Sequence, residues 1–316
     1  MHAAAINLRG GVSPRGTLLR GQSIIEYVLI IAVIGLVILF AGPGVAGAIR
    51  NQFNQVTNTV DSGTDGGNFM SAEEKAYREA MKTVASKEAK DWTLDEQKAV
   101  ADDIAKNGES SKVYAKAKAA MDVGTTWSMK LTNNKTMTYR IVGINHDDLA
   151  GGTGKAGLTF EATNTALGSQ RMNATDTNAG GWKKSELRGR LNTGDLWALL
   201  PSELQSKAKA VTKMTDNTGG TDGVHTYPPT ATTDKVFLLS ANEVWGDSQS
   251  DGTQYEFYKP KGVTRSNYSG ASSSHYHWTR SFCPALQTHF YNVRSYGDRD
   301  YESATESYSV YAAWCF

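Results

Sequence analysis

Between Tyr27 and Ile49 the chain runs for 23 residues without a charged side chain, as YVLIIAVIGLVILFAGPGVAGAI. As a helix rising about 1.5 Å per residue, this stretch is long enough to cross a hydrocarbon layer roughly 30 Å thick, so the sequence predicts a membrane-spanning segment. The 21 residues ahead of Gln22 hold Arg9, Arg15 and Arg20 and no acidic residue. That excess of cations keeps the N-terminus on the cytoplasmic side and sends everything after Arg50 outward. Pro43 lacks a backbone donor and predicts a kink or an end to the helix within AGPGVAG.

One carboxylate, Glu26, stands at the mouth of this segment in RGQSIIEY, residues 20–27. An acid beside hydrocarbon is costly and calls for a partner. A secretory signal would have a shorter apolar core and a cleavage site beyond it. Here the basic leader ends at Gly21, before the apolar run, and a cut there would leave Glu26 fifth and Tyr27 sixth in the new chain. This arrangement resembles the type IV pilin superfamily, and the Glu-Tyr pair is most similar to the Flp pilins of tight-adherence (Tad) systems. The resemblance implies a leader at 1–21, cleavage after Gly21 by a prepilin peptidase, and a transmembrane and assembly helix at 22–60. It further implies that the freed amine of Gln22 meets Glu26 of a neighbouring subunit, an attraction that would favour polymerisation and set register. The implied partners are other pilin subunits and the membrane before assembly, and the implied location is the cytoplasmic membrane, then an extracellular pilus or the cell surface. The residues alone also allow a plain membrane anchor with Glu26 snorkelling to the headgroups.

From Asn51 to Phe316 there remain 266 residues, enough for one large or two small cores. A formal net charge of +1 carries no polyanion-binding signature, so no nucleic-acid partner is implied. The two cysteines, Cys283 and Cys315, both fall in the part expected outside the cytoplasm and are candidates for a disulfide or for buried free thiols.

DSGTDGGN, within 61–70, predicts a flexible linker. Ser71 with Glu74 and Thr93 with Glu96 have capping-box spacing, and Gly108 is a natural stop, so helices are expected near 71–90, 94–107 and 110–122 as a small helical spacer over 71–122. From Trp127 the period changes to that of strands: TWSMKL and TMTYRIVGI around TNNK, then AGLTFEAT. GGWKKSELRGRLNTGDLWALLPSELQSKAKAV has helical spacing interrupted at Gly194 and Pro201; DKVFLLSANEVWG, HYHWTRSF and YSVYAAWCF complete an α+β order.

A second resemblance rests on Trp182, Ser185, Leu187, Arg188, Leu191 and Asn192, on LLSANE at 238–243, on HWTRS at 277–281 and on a closing V-x-A-A-x-C. These resemble an uncharacterised domain family of gut-bacterial surface proteins, with a pattern similar to the C-type-lectin-like fold of formylglycine-generating enzymes and of the variable proteins of diversity-generating retroelements. The expected fold class is thus α+β, with a long N-terminal pilin-type α-helix, a small helical spacer and a C-type-lectin-like α+β domain over 123–316. Without the resemblance, the same residues are core and scaffold, with Arg188 and Glu243 as an expected ion pair between helix and sheet.

Between Ser266 and Tyr311 lie seven of the fourteen tyrosines and ten serines, and no lysine follows Lys261. Recognition surfaces use this mixture, because tyrosine offers a large amphipathic contact at low entropic cost. The candidate ligand contacts are Tyr268, His275, Tyr276, Tyr291, Arg294, Tyr296, Asp298, Arg299, Asp300, Tyr301 and Tyr308. His275 and His277, with His289, have strand spacing for a metal pair, but surface histidines beside aromatics are commoner, so no metal and no cofactor is expected. DSQSDGTQYE lacks the carboxylates of a calcium loop. No nucleophile triad, phosphate loop or paired-carboxylate signature stands out, which argues against an enzyme. The expected function is a subunit of a Tad-like pilus that displays a ligand-binding adhesin domain toward a host or bacterial surface, with sequence diversification of its C-terminus as a further expectation. The alternatives left open are a purely structural pilin whose large domain decorates the fibre and a membrane-anchored surface protein.

Overall fold

The alternation in TWSMK and TMTYRIVGI becomes β1 (Thr126–Lys130) and β2 (Thr136–Ile144) in the computed structural model, which describes residues 72–220, 227–247 and 251–316. The two strands pair antiparallel, with Trp127 opposite Tyr139 and Met129 opposite Met137. Asn134 closes their turn at φ 66°, a left-handed conformation that its short polar side chain tolerates. With β3 (Leu158–Ala162), β7 (Val236–Phe237) and β12 (Ala313–Cys315) they build a five-stranded sheet in the order β1-β2-β3-β12-β7. A second sheet runs β10-β9-β8-β11-β4, from β4 (Ser169–Gln170), β8 (His277–Phe282), β9 (His289–Val293), β10 (Arg299–Ser303) and β11 (Tyr308–Ser309). A separate antiparallel pair joins β5 (Val211–Thr215) to β6 (Thr230–Asp234).

One face of the first sheet is aromatic and is covered by helices. Trp127, Tyr139, Phe160 and Trp314 interlock there, with ring centroids 5.1–6.1 Å apart. α1 (Ala72–Ser86), α2 (Leu94–Asn107) and α3 (Tyr114–Val123) bury Val84, Val100, Ile104, Ala117 and Met121 in the same core. Trp92, just ahead of α2, stacks on Trp127 at 6.5 Å, and the Tyr139 hydroxyl donates to Gln97 Oε1 at 3.1 Å. The box expected at Thr93 and Glu96 caps α2: the Thr93 hydroxyl accepts from Glu96 N–H and the Glu96 carboxylate accepts from Thr93 N–H. Gly157 lets α2 approach this closely, since a Cβ there would run into the Ala101 carbonyl.

The fold class expected from the sequence is corrected by these contacts. The described residues form a mixed α/β unit of short helices around several sheets, not a helical spacer followed by a lectin-like α+β domain behind a long N-terminal helix. Helices and sheet need one another, because a spacer would leave Val100, Ile104 and Met121 in water and the sheet would leave Trp127 and Phe160 uncovered. The longest described helix is α1, at 15 residues, and no described helix is long and apolar enough to cross a membrane. The expected leader, the helix at 22–60 and the linker at 61–70 lie outside the described residues, as do Gly21, Gln22, Glu26, Tyr27 and the side chains of Ser71 and Glu74.

The helical run after β4 is broken at Gly194 and Pro201, as expected, and also at Ser185, which caps the second helix, into α4 (Gly181–Lys184), α5 (Glu186–Asn192), α6 (Asp195–Leu199) and α7 (Ser202–Lys207). Arg188 does not reach Glu243. It donates to Asp234 at 2.6 Å, and Trp182 Nε1–H donates to the other oxygen of the same carboxylate at 3.1 Å, because the end of β6 lies against α5. Glu243 instead closes a capping box with Ser240 at the start of α8 (Ala241–Trp245).

From there Glu243 enters a buried network on the second face of the first sheet. Arg280, fully buried in β8, grips both Glu243 oxygens, the Oε1 contact being 2.8 Å. Lys213 Nζ lies 2.6 Å from Asp147 Oδ1, 2.7 Å from Glu243 Oε1 and 3.0 Å from the Tyr255 hydroxyl. Asp147 also accepts from Thr159 at 2.6 Å and from Tyr255 at 2.9 Å. Burial opposes the charge on Asp147, but Lys213 foremost, with His146 and the Thr159 hydroxyl, overcomes it and holds the carboxyl well below its usual range. A parallel cluster pairs Arg140 with Glu161 at 3.0 Å, bridged by the Tyr258 hydroxyl.

Candidate functional site

The second sheet ends in the hairpin β9–β10, whose outer strand has no neighbour on its far side among the described residues. Cross-strand pairing sorts its side chains onto two faces. Tyr291 and Tyr301, Val293 and Arg299, and His289 and Ser303 share one face; Asn292 and Asp300, and Phe290 and Glu302, share the other. On the first face the Arg299 guanidinium sits 4.1 Å above the Tyr291 ring and pairs with Asp247, which leaves Tyr291 buried. Tyr301, at the same level on the edge strand, is 48 % exposed and touches His289 edge-on at 5.7 Å.

The turn of this hairpin is held from both sides. Arg294 N–H donates to the Asp298 carbonyl and Gly297 N–H to the Arg294 carbonyl, at 2.9 and 2.8 Å. The Arg294 side chain meets Asp300 at 2.5 Å and Asp298 at 3.3 Å. Gly297, at φ 93°, faces the Tyr268 carbonyl so closely that a Cβ has no room. Trp245 Nε1–H donates to the Gly297 carbonyl at 2.8 Å, and Ser273 N–H donates to the Ser295 carbonyl at 2.9 Å. The loop carrying Tyr268 and the turn carrying Tyr296 are thereby fixed together, with Tyr296 74 % exposed at the apex. Beside them the exposed Tyr276 stacks on Tyr308 at 6.0 Å, and Tyr308 meets buried Trp278 edge-on at 4.9 Å. Burial, reinforced by Glu302 and Glu306, pushes the Tyr308 hydroxyl up to about 12.

Tyr268, Tyr276, Tyr296 and Tyr301, with Arg294, Asp298 and Asp300, all lie on the hairpin and its adjoining loop, but not on one face: Tyr301 is on the Tyr291 face, while Asp300 is on the Glu302 face, where Tyr308 and Tyr276 stand. His275 is exposed, its ring bonded to the Ser274 hydroxyl and its carbonyl accepting from Ser273. Tyr291 and Arg299 drop out of the expected contact set: they brace the hairpin from within. Tyr308 is half-buried and supports Tyr276. Sequence reasoning missed Asp247, the counter-charge of Arg299, and Glu302, beside Tyr308; the fold alone brings each to its partner, so no local pattern marks them.

His277 opens β8 and is buried against Tyr311, with ring centroids 4.0 Å apart, while His275 precedes the strand. The expected common face of the two histidines does not form. Burial, aided by the nearby Arg140 charge, pushes the His277 imidazole down to about 4. Among the described residues no cluster of three His, Cys, Asp or Glu side chains has the geometry to hold a metal ion. Cys283 and Cys315 are both buried free thiols and form no disulfide. They stand in different sheets, Cys315 in β12 beside Asp147 and Thr159, and Cys283 at the end of β8.

A cleft of about 790 Å³ opens on the other side of the unit, lined by Lys90, Trp92, Trp127, Lys130, Tyr139 and Glu203 among others. Its two indoles are no platform for a ligand. Trp92 and Trp127 are buried, and their N–H groups are spent on the Val84 and Ala89 carbonyls.

No curated protein and no solved structure matches the chain. Residues 157–313, which begin just before β3 and end in β12, are similar to the family model described as a domain of unknown function (DUF6273), a match that leaves out α1–α3 and the hairpin β1–β2 that share its core.

Proposed function

We propose that this chain is a cell-surface recognition protein with a pilin-type N-terminus, its unit from Met70 onward binding a ligand through the tyrosines of the β9–β10 hairpin and adjoining loop. The observation that carries the reading is the rigid mounting of four solvent-facing tyrosines. Tyr268, Tyr276, Tyr296 and Tyr301 are each 37 % or more exposed, yet the backbone beneath them is tied by Arg294, Gly297, Trp245 and Ser273. Large aromatic surface on a preorganised frame loses little entropy on binding. The N-terminal half of the proposal rests on Gly21, Gln22, Glu26 and Tyr27 and on the uncharged run after them. Prepilin peptidase, other subunits, the membrane before assembly and a host or bacterial surface ligand are the partners this reading entails.

Two measurements test it. Chains sheared from cells should begin at Gln22; chains that keep Met1 and stay cell-bound would leave only a plain anchor. Cells displaying the double variant Tyr296→Ala/Tyr301→Ala should lose adhesion to glycan or cell surfaces while the protein keeps its circular dichroism. Adhesion undiminished in that variant would leave a purely structural subunit.

A further inference from the structure

The contacts of Lys213 point to a chemical modification. We propose that Lys213 and Asp147 condense into an intramolecular amide, with Glu243 as the proton carrier. The backbone delivers the two groups to each other. Thr212 N–H donates to the Asp148 carbonyl at 2.8 Å and Ala150 N–H to the Ala210 carbonyl at 2.9 Å, so β5 lies along the segment after β2 and sets the lysine beside the acid. Both side chains are shut away from water, 3 % and 2 % exposed. The nitrogen itself lies against aromatic rings, with Nζ 4.3 Å from the centre of Phe237 and 5.3 Å from that of Tyr255.

The surroundings give the three groups different roles. Asp147 is the acceptor of the new bond, because Thr159 and Tyr255 donate to its oxygens at 2.6 and 2.9 Å and can carry the charge that grows there when the carbon is attacked. Glu243 is unsuited to that role. Arg280 holds both of its oxygens and Ser240 N–H donates to Oε2 at 3.0 Å; against the cost of burial, Arg280 and Lys213 keep it ionised. Its Oε1, 2.7 Å from Lys213 Nζ, is placed to take a proton and hand it on.

The step balances without any added reagent. A proton first passes from the Lys213 ammonium to the Asp147 carboxylate across their hydrogen bond, giving an amine and a neutral acid, a minor form that the ion pair must visit before reacting, since Lys213 and Thr159 favour the carboxylate. The Nζ lone pair then forms a bond to Asp147 Cγ. Glu243 removes a second proton from the nitrogen and delivers it to the departing hydroxyl, and the Cγ–O bond breaks to release one water. The nitrogen keeps its third proton as the amide N–H, and Glu243 ends as it began. Two groups held in contact in a dry site react with effective concentrations of order 10⁵ M or more in well-aligned cases. The product also removes two buried charges whose desolvation the ion pair must otherwise offset.

Intact mass spectrometry of the purified full chain, denatured after incubation at neutral pH, tests the inference. The expected mass is one water below that of the sequence, with a branched peptide joining the segments around Asp147 and Lys213. Glu243→Gln, which keeps the shape of the side chain, should slow the loss of water by at least tenfold, and Lys213→Arg should abolish it. A wild-type chain at full sequence mass overturns the proposal. So does a loss of water confined to one linear peptide, such as a succinimide at Asp251-Gly252.

Discussion

Two charge networks in this molecule use the same chemistry in opposite surroundings. Around Lys213, Asp147, Glu243 and Arg280 every side chain is at most 3 % exposed; around Arg294, Asp298 and Asp300 the figures run from 21 to 41 %. In the first, each ion has surrendered its water, so a missing partner leaves an uncompensated charge in a medium that cannot screen it. In the second, solvent replaces whatever is removed, and the pairs serve chiefly to hold a turn in shape. The buried network ties β5, β8 and α8 to the first sheet. The exposed one braces the turn and edge strand that present Tyr296 and Tyr301 to solvent.

The contrast breaks most readily at the two arginines. Arg280→Met should lower the free energy of unfolding by roughly 3–5 kcal/mol in urea titrations, since it takes both guanidinium bonds from buried Glu243 and leaves Lys213 shared between two carboxylates. A loss below about 1 kcal/mol would mean that the buried network relaxes like a surface one.

The next largest effect concerns His277. Its imidazole is held down to about 4 by burial, from 6.5, so between those values the unfolded chain takes up a proton that the folded chain refuses. Stability therefore falls as pH falls through that window, by about 3 kcal/mol in all. In His277→Phe, which can still stack on Tyr311, that part of the pH dependence should vanish when unfolding is followed from pH 7 down.

At the hairpin, Arg294→Met should cost roughly 0.2–1 kcal/mol, and less in concentrated salt, which screens exposed pairs. A salt-independent loss as large as that of Arg280→Met would erase the distinction between the two regions. Smallest of all, Tyr296→Ala should change stability by no more than about 0.5 kcal/mol while reducing ligand binding.

Much of this architecture is legible in local pattern. TWSMK and TMTYRIVGI announce β1 and β2, Thr93 and Glu96 announce the start of α2, and Gly194 and Pro201 mark where the later helices break, because each depends on neighbours in sequence. What depends on distant partners is not legible. β5 and β6 are joined by residues 216–229, a connection too long for a tight hairpin in spite of its Gly-Gly and Asp-Gly pairs, so their pairing has no local trace. Arg188 finds Asp234 and not Glu243 because the end of β6 lies against α5. In the candidate site, composition picks out the tyrosines but cannot say which way a short strand faces: Tyr291 and Tyr301 are paired across the hairpin, and only the one on the edge strand meets solvent. The cysteines show the same limit, since Cys283 and Cys315 are close in the list of residue types and apart in the sheets.

β12 lies between β3 and β7, although some 150 residues separate it from β3 along the chain and about 75 from β7. During synthesis the first sheet must wait as two open seams until residues 313–315 emerge to close it. Strand insertion of this kind puts the slow step of folding at the finish, where early-formed hairpins lie unguarded. A cell making this protein would need to keep those edges apart from one another until the last strand arrives.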